Sequence, residues 1–229
     1  MGRHTLEGNP PIEVSLRKSA RARRLSLRVS RLDGRVTLTL PQFSATCDGI
    51  AFLRSKEAWL REHLDQMAPA CPVAVGSELM VRGHMLPVLV GPTKRARITP
   101  EAVEVPDAQT AAPRIKAQLR QMARDALAGA SDHHAQRLRR SYARLTIRDT
   151  RSRWGSCSSR GRLMFSWRLI MAPPDVLDYV AAHEVAHLKH MDHSPAFWGA
   201  VERLMPDYAD HRDWLRHNGT ELHRYSFDH

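Results

Sequence analysis

The chain has 229 residues, 42% of them apolar, and 35 Lys and Arg against 24 Asp and Glu give a formal net charge of +11. That length and apolar share suffice for a buried core in one large domain or two small ones, and no apolar run reaches the roughly 18 residues of a membrane-spanning helix, so no membrane partner is expected. Cys47, Cys71 and Cys157 are odd in number and widely spaced, and the first residues carry no apolar signal core. Both features argue against a disulfide framework and point to a reducing cytoplasm.

Residues 11–40 read as β structure. Ile12 to Leu16 and Arg24 to Ser30 alternate, Asp33-Gly34 has hairpin-turn chemistry, and Val36, Leu38 and Leu40 resume the pattern. Basic residues are densest here, at Arg17, Lys18, Arg21, Arg23, Arg24, Arg28, Arg31 and Arg35. Such a face can attract nucleic acid or another polyanion. Arg24 and Arg28 alternating with Leu25, Leu27 and Val29 also suit the solvated side of a half-buried strand, and no nucleic-acid motif accompanies them. Pro41 stops the strand, and Ser44 or Thr46 can cap an amphipathic helix carrying Ile50, Leu53, Trp59, Leu60 and Leu64. Residues 72–106 return to short strands: Leu79 to Arg82 and Met85 to Val90 flank Gly83-His84, and Ala96 to Thr99 pairs with Val103 to Val105. Residues 1–107 therefore read as an N-terminal β-rich domain without a catalytic constellation.

Residues 108–112 look like a linker, and 108–229 as a second domain. Pro113 opens a helix with Ile115, Leu119, Met122 and Leu127 on one side. Gly129 ends or interrupts it, and Ser131 or Asp132 can cap a continuation through Leu138. His133 and His134 are adjacent, so they point apart on a helix and read as solvated, not as a metal pair. Tyr142 to Asp149 and Arg162 to Ile170 then suggest a short antiparallel sheet around the Ser159-Arg160-Gly161 turn, with Trp154 and Trp167 as core residues. A strand just before the next helix can lie along a cleft and take an extended peptide on its free edge.

That next helix carries His183-Glu184-Val185-Ala186-His187, an instance of H-E-x-x-H. Asp175 to Ala182 leads in behind Pro173-Pro174, with Val176, Val180 and Ala181 continuing to Val185 and Leu188 as an apolar stripe. One helical turn apart, His183 and His187 point the same way and can grip one Zn²⁺. Glu184 can polarise a metal-bound water as general base. His190 lies about 10.5 Å along the axis from His183, too far to share an ion. Met191-Asp192-His193-Ser194-Pro195 offers a helix break through which His193 can return as third ligand, with Glu202 as a fallback. Three protein ligands leave a position open, as in a catalytic zinc site.

Together, Ser152-Arg153-Trp154-Gly155-Ser156-Cys157-Ser158, Asp178-Tyr179-Val180, HEVAHLKHMDHS at 183–194, Phe197-Trp198 and Met205-Pro206-Asp207-Tyr208 resemble the YgjP-like metallopeptidases, relatives of the SprT and WLM zinc proteases. The resemblance covers nearly the whole chain. It implies an α+β fold, with a compact zincin-like catalytic half of helices and a short sheet behind the β-rich half. It also implies zinc on His183, His187 and His193, with Glu184 as base. His190 stands where metzincins with the same histidine spacing have a turn glycine, which argues for a minimal zincin.

The leading expectation is a zinc peptidase acting on a peptide or protein. Tyr179 or Tyr208 is a candidate donor to the oxyanion. A metal-dependent nucleotide or phosphoanhydride hydrolase would use the same ion, but the chain lacks a phosphate-cradling glycine-rich loop. A DNA-associated SprT-like protease would use the basic N-terminal face.

Overall fold

The computed structural model describes residues 2–30, 34–65 and 70–227. The fold is α+β and divides into two compact units, Met1–Ala70 and Cys71–His229. Among the described residues no helix is long and apolar enough to cross a membrane.

The first unit is a four-stranded sheet with two helices. Its strands are β1 (Gly2–Leu6), β2 (Ile12–Ser19), β3 (Ser26–Val29) and β4 (Val36–Pro41), in the order β1-β2-β4-β3. β2 and β4 run parallel, and the outer pairs antiparallel. Strict alternation in β4 turns Val36, Leu38 and Leu40 into a core with Val14, Leu53 and Leu60. The expected single helix is two, α1 (Thr46–Ser55) and α2 (Glu57–Asp65), broken at Lys56. Ser30 and Gly34 close the β3–β4 turn by a backbone hydrogen bond, while Asp33 of the expected turn pair lies outside the described residues. Arg21, Arg23, Arg24 and Arg28 are exposed.

The second unit begins earlier than residue 108. Its first elements are β5 (Cys71–Pro72), β6 (Glu78–Val81), β7 (His84–Val90), β8 (Arg97–Ile98) and β9 (Val103–Val105). A boundary at 107 would cut through one hydrophobic core. Val81, Val88, Val103 and Val105 belong to the same cluster as Ile115, Leu119, Val176 and Val185. The C-terminal strand β13 (Tyr225–Ser226) pairs with β5 and ties both ends of this unit together. At the β6–β7 hairpin, Arg82 and Gly83 both have positive φ, as a two-residue turn of this hand requires. A side chain on Gly83 would press on Pro173, at the entrance to the motif helix.

α3 (Ala111–Leu138) runs through Gly129 without interruption. Ser131 is buried in mid-helix and caps nothing. His134 is also buried, contrary to the solvated reading. Its Nε2 lies 3.0 Å from Asp178 Oδ1, on the neighbouring helix. The two rings meet edge-on at 5.2 Å, His133 on the exposed side and His134 on the side that faces protein.

Three strands follow: β10 (Arg144–Arg148), β11 (Gly155–Cys157) and β12 (Arg162–Ser166). Their sheet is mixed, not antiparallel: β12 lies in the middle, parallel to β10 and antiparallel to β11. A 3₁₀ helix (Trp167–Met171) leads to α4 (Pro174–Ala186), then α5 (Pro195–Leu204), α6 (Tyr208–Asn218) and a short 3₁₀ helix (Glu221–His223). Arg168 pins this end. Its guanidinium donates to Asp149 Oδ1 at 2.8 Å and to the carbonyls of Leu222 and Tyr225, and lies over the Trp167 ring at 4.8 Å. Lysine cannot reproduce a planar fork of that kind. Arg168→Lys is therefore expected to destabilise the second unit by about 3 kcal/mol, read as a lowered denaturant midpoint with unchanged slope.

Candidate metal centre

α4 differs from the expected one-sided stripe. It is buried nearly all round, between α3, α5, α6, β11 and the preceding 3₁₀ helix. Pro174 in its first turn suits a helix start, where the missing N–H has no intrahelical partner anyway. Its C-terminal end tightens. Leu188 N–H donates to Val185, and Lys189 and His190 N–H both donate to Ala186. The helix thus ends at Ala186, with His187 as its cap residue, three residues before His190. After the turn Ser194 precedes Pro195 at the start of α5, and Asp192 accepts the Ser194 N–H at 3.3 Å.

This path returns His193 to the helix end. Ligand nitrogens of His183, His187 and His193 lie within 4.8 Å of one another, and among the described residues they form a cluster able to hold a metal ion. His183 Nε2 and His193 Nε2 are 3.3 Å apart. Two nitrogens each ~2.0–2.1 Å from a tetrahedral ion stand about 3.3–3.4 Å apart, so the spacing fits such an ion. His187 Nδ1 lies 2.9 Å from the His190 carbonyl. That bond makes Nδ1 the protonated nitrogen and leaves the Nε2 lone pair free to bind. His190 thus contributes its backbone oxygen rather than its ring. Glu202 is exposed and stands outside the cluster.

Electrostatics favour neutral imidazoles. Burial, with positive neighbours in His187, His193 and Arg212, pushes His183 down to about 3. Burial also lowers His187. Phe197 supports all three rings, stacking on His187 at 4.4 Å and meeting His183 and His193 edge-on at 4.9 and 4.8 Å. It stands four residues after His193, but His193 precedes the helix that begins at Pro195, so helical spacing alone does not give this contact.

Glu184 is buried beside this cluster. Its carboxylate rests against Gly155, where an added Cβ would lie 2.6 Å from Glu184 Cγ and Oε1. Burial raises its pKa to about 8, opposed by the nearby Arg153 charge and a hydrogen bond from the Cys157 backbone. None of these neighbours follows from helical spacing, because they come from β11 and the loop before it. Burial and the Glu184 carboxylate push the Cys157 thiol up to about 11. Trp167 is fully buried, as expected, whereas Trp154 is only partly covered and tilts against His223. Tyr179 is buried edge-on to His183, and the partly exposed Tyr208 stacks on Tyr179 and Trp198.

The arrangement predicts one divalent ion per chain. His187→Ala and His193→Ala are expected to release it, whereas His190→Ala keeps it because the carbonyl remains. Elemental analysis of the dialysed proteins checks this, and release by His190→Ala would refute the ligand set.

The chain matches the family described as YgjP-like, metallopeptidase domain, over residues 23–218. Among solved structures it is similar to the metallopeptidase zymogen of Pyrococcus abyssi abylysin, with 21% identity over 40% of this chain and 93% of that one, at a TM-score of 0.38. No curated protein matches it. The family match spans most of the sequence, including β11, the motif helix and all three histidines, and on that ground the chain belongs to the YgjP-like metallopeptidase family.

Proposed function

We propose that this protein is a zinc-dependent peptidase in which His183, His187 and His193 hold the ion and Glu184 is the general base. The observation that carries the reading is the three-imidazole cluster beside a buried carboxylate. An all-imidazole set with room for one more ligand suits catalytic zinc. When bound, zinc supplies Lewis acidity, making water nucleophilic near neutral pH and polarising the scissile carbonyl.

The chain's own groups do the rest. Glu184 accepts the proton of the attacking water as the C–O bond forms and passes it to the leaving amine as the C–N bond breaks. The Cys157 backbone N–H holds its carboxylate, and the Arg153 charge stands nearby. Tyr208, being partly exposed, is the tyrosine that a substrate oxyanion can reach, while Tyr179 is buried, which pushes its phenol up to about 12.

The substrate's backbone has a place too. Ser166 N–H donates to Trp154 and Ser158 N–H to Arg162, so residues 154, 156 and 158 carry the ladder with β12. Gly155 and Cys157 then turn their backbone groups outward. The strand with a free edge beside α4 is therefore β11, not β12, which directly precedes the helix but lies in mid-sheet. Gly155 offers an open N–H and C=O to an extended peptide.

Glu184→Gln is expected to retain the metal and lose about 10²-fold or more in turnover. Gly155→Ala should also retain the metal yet lower turnover, because its Cβ displaces the Glu184 carboxylate. Peptide-library hydrolysis beside elemental analysis tests both, and undiminished turnover in Glu184→Gln rejects the base. Hydrolysis of nucleoside triphosphates with every peptide untouched would replace the peptidase reading by phosphoanhydride chemistry.

We also propose that the exposed Arg21, Arg23, Arg24 and Arg28 draw polyanions such as DNA to the first unit. Binding should weaken steeply with salt, and changing all four to Ser should flatten that dependence. Salt-independent binding, or none, rejects the polyanion role.

A further inference from the structure

A cavity of about 730 Å³ lies beside the metal centre and shares His187 with it. Three chain segments wall it: the C-terminal end of α3, the turn from β11 to β12, and the turn after α4. Each brings cations. Arg139 and Arg140 come from the first, Arg160 from the second and Lys189 from the third, and no Asp or Glu among the described residues lines the space. None of these four has a carboxylate partner among the described residues. The volume is within the range of small-ligand pockets, roughly 300–1,000 Å³, and so leaves ample room for one side chain.

Arg139 adds a second observation. It ends α3 in the left-handed region, with φ 52 and ψ 47. Glycine is the ordinary residue at such a helix end, because a side chain there is strained. Arg139 is thus an exposed cation held at a backbone position where glycine is usual, with no carboxylate partner among the described residues.

We propose that this cavity is a specificity pocket for an acidic residue of the peptide substrate. The inference rests on the peptidase reading and names the substrate class within it. A Glu or Asp carboxylate docks among Arg139, Arg140, Arg160 and Lys189, where charge-assisted and forked hydrogen bonds favour it over an amide. The position in the peptide follows from the strand. β11 passes Glu184 and runs directly into the turn that carries Arg160. A peptide lying antiparallel to β11 has its N-terminal portion at that turn. The acidic residue therefore precedes the bond that is cleaved. Without a glycine-rich loop of backbone N–H groups, the cations suit a carboxylate better than a phosphate chain.

The test uses zinc-loaded Glu184→Gln protein, which reads binding apart from turnover. Labelled hexapeptides with blocked ends differ only in Glu against Gln, scanned through the positions before the cleavable bond. The Glu peptide is expected to bind about 10-fold tighter at one position, with the contrast shrinking as salt rises. Adding Arg160→Ser and Lys189→Ser should bring the ratio close to one. Arg139→Gly should also reduce it, while its unfolding midpoint is no lower than that of the parent, because glycine relieves the backbone. In the wild-type enzyme the same contrast should appear in kcat/KM. Equal binding of the paired peptides overturns the proposal, as does a Glu preference that survives the double substitution. Binding of tripolyphosphate that depends on Arg160 and Lys189, with no acidic-peptide preference, overturns it in favour of a phosphate site. A binding preference without any wild-type cleavage upholds the pocket and rejects the peptidase reading, whereas cleavage without a preference rejects the pocket alone.

Discussion

Everything at the metal centre depends on the burial of α4. A helix surrounded by other elements holds its side chains in one arrangement and excludes much of the solvent that would otherwise shield them. Low solvation favours neutral His183, the form in which an imidazole can bind a metal ion, and holds the Glu184 carboxyl above its ordinary range. The same burial that makes the helix hydrophobic on nearly every side therefore prepares two opposite kinds of group. One gives up a proton readily, and the other takes one.

The few polar groups on a buried helix require support from outside it, and the neighbouring elements supply it. The His190 carbonyl orients His187, Phe197 packs the three rings, and β11 presents a glycine where Glu184 must lie. Farther along α4, Asp178 reaches His134 on α3. These contacts tie the helix to the turn after it, to the next helix, to the sheet and to the long helix behind. The site is therefore built on the second unit's core, of which it forms one face.

The two-histidine helix, the break after it and the returning His193 were legible in the sequence, because each is a local pattern over a dozen residues. So were most strands of both units. What was hidden is non-local. Arg153, Gly155 and Cys157 meet Glu184 from some thirty residues upstream, and no periodicity records that approach. His134 looked solvated because its partner Asp178 lies on another helix. The short strands of 72–105 resemble those of 12–40 in composition and so read as one domain, although their buried faces belong to different cores. Gly129 suggested a helix break, but it sits on an open face where nothing prevents the helix from continuing.

The mixed sheet bears on how the edge strand is placed. β10 and β11 flank β12 on opposite sides, so the chain skips a slot and returns to fill it. Among the described residues β11 has no sheet neighbour except β12, and the turn at residues 158–161 is the link between them. That turn acts as a ruler. Lengthening it by one residue would slide β11 one step along β12 and exchange its inner and outer groups. Gly155 would leave Glu184 and a residue with a side chain would take its place, although no ligand or acid had been touched. Loop length, usually the most freely varied quantity in a fold, is here part of the site's definition.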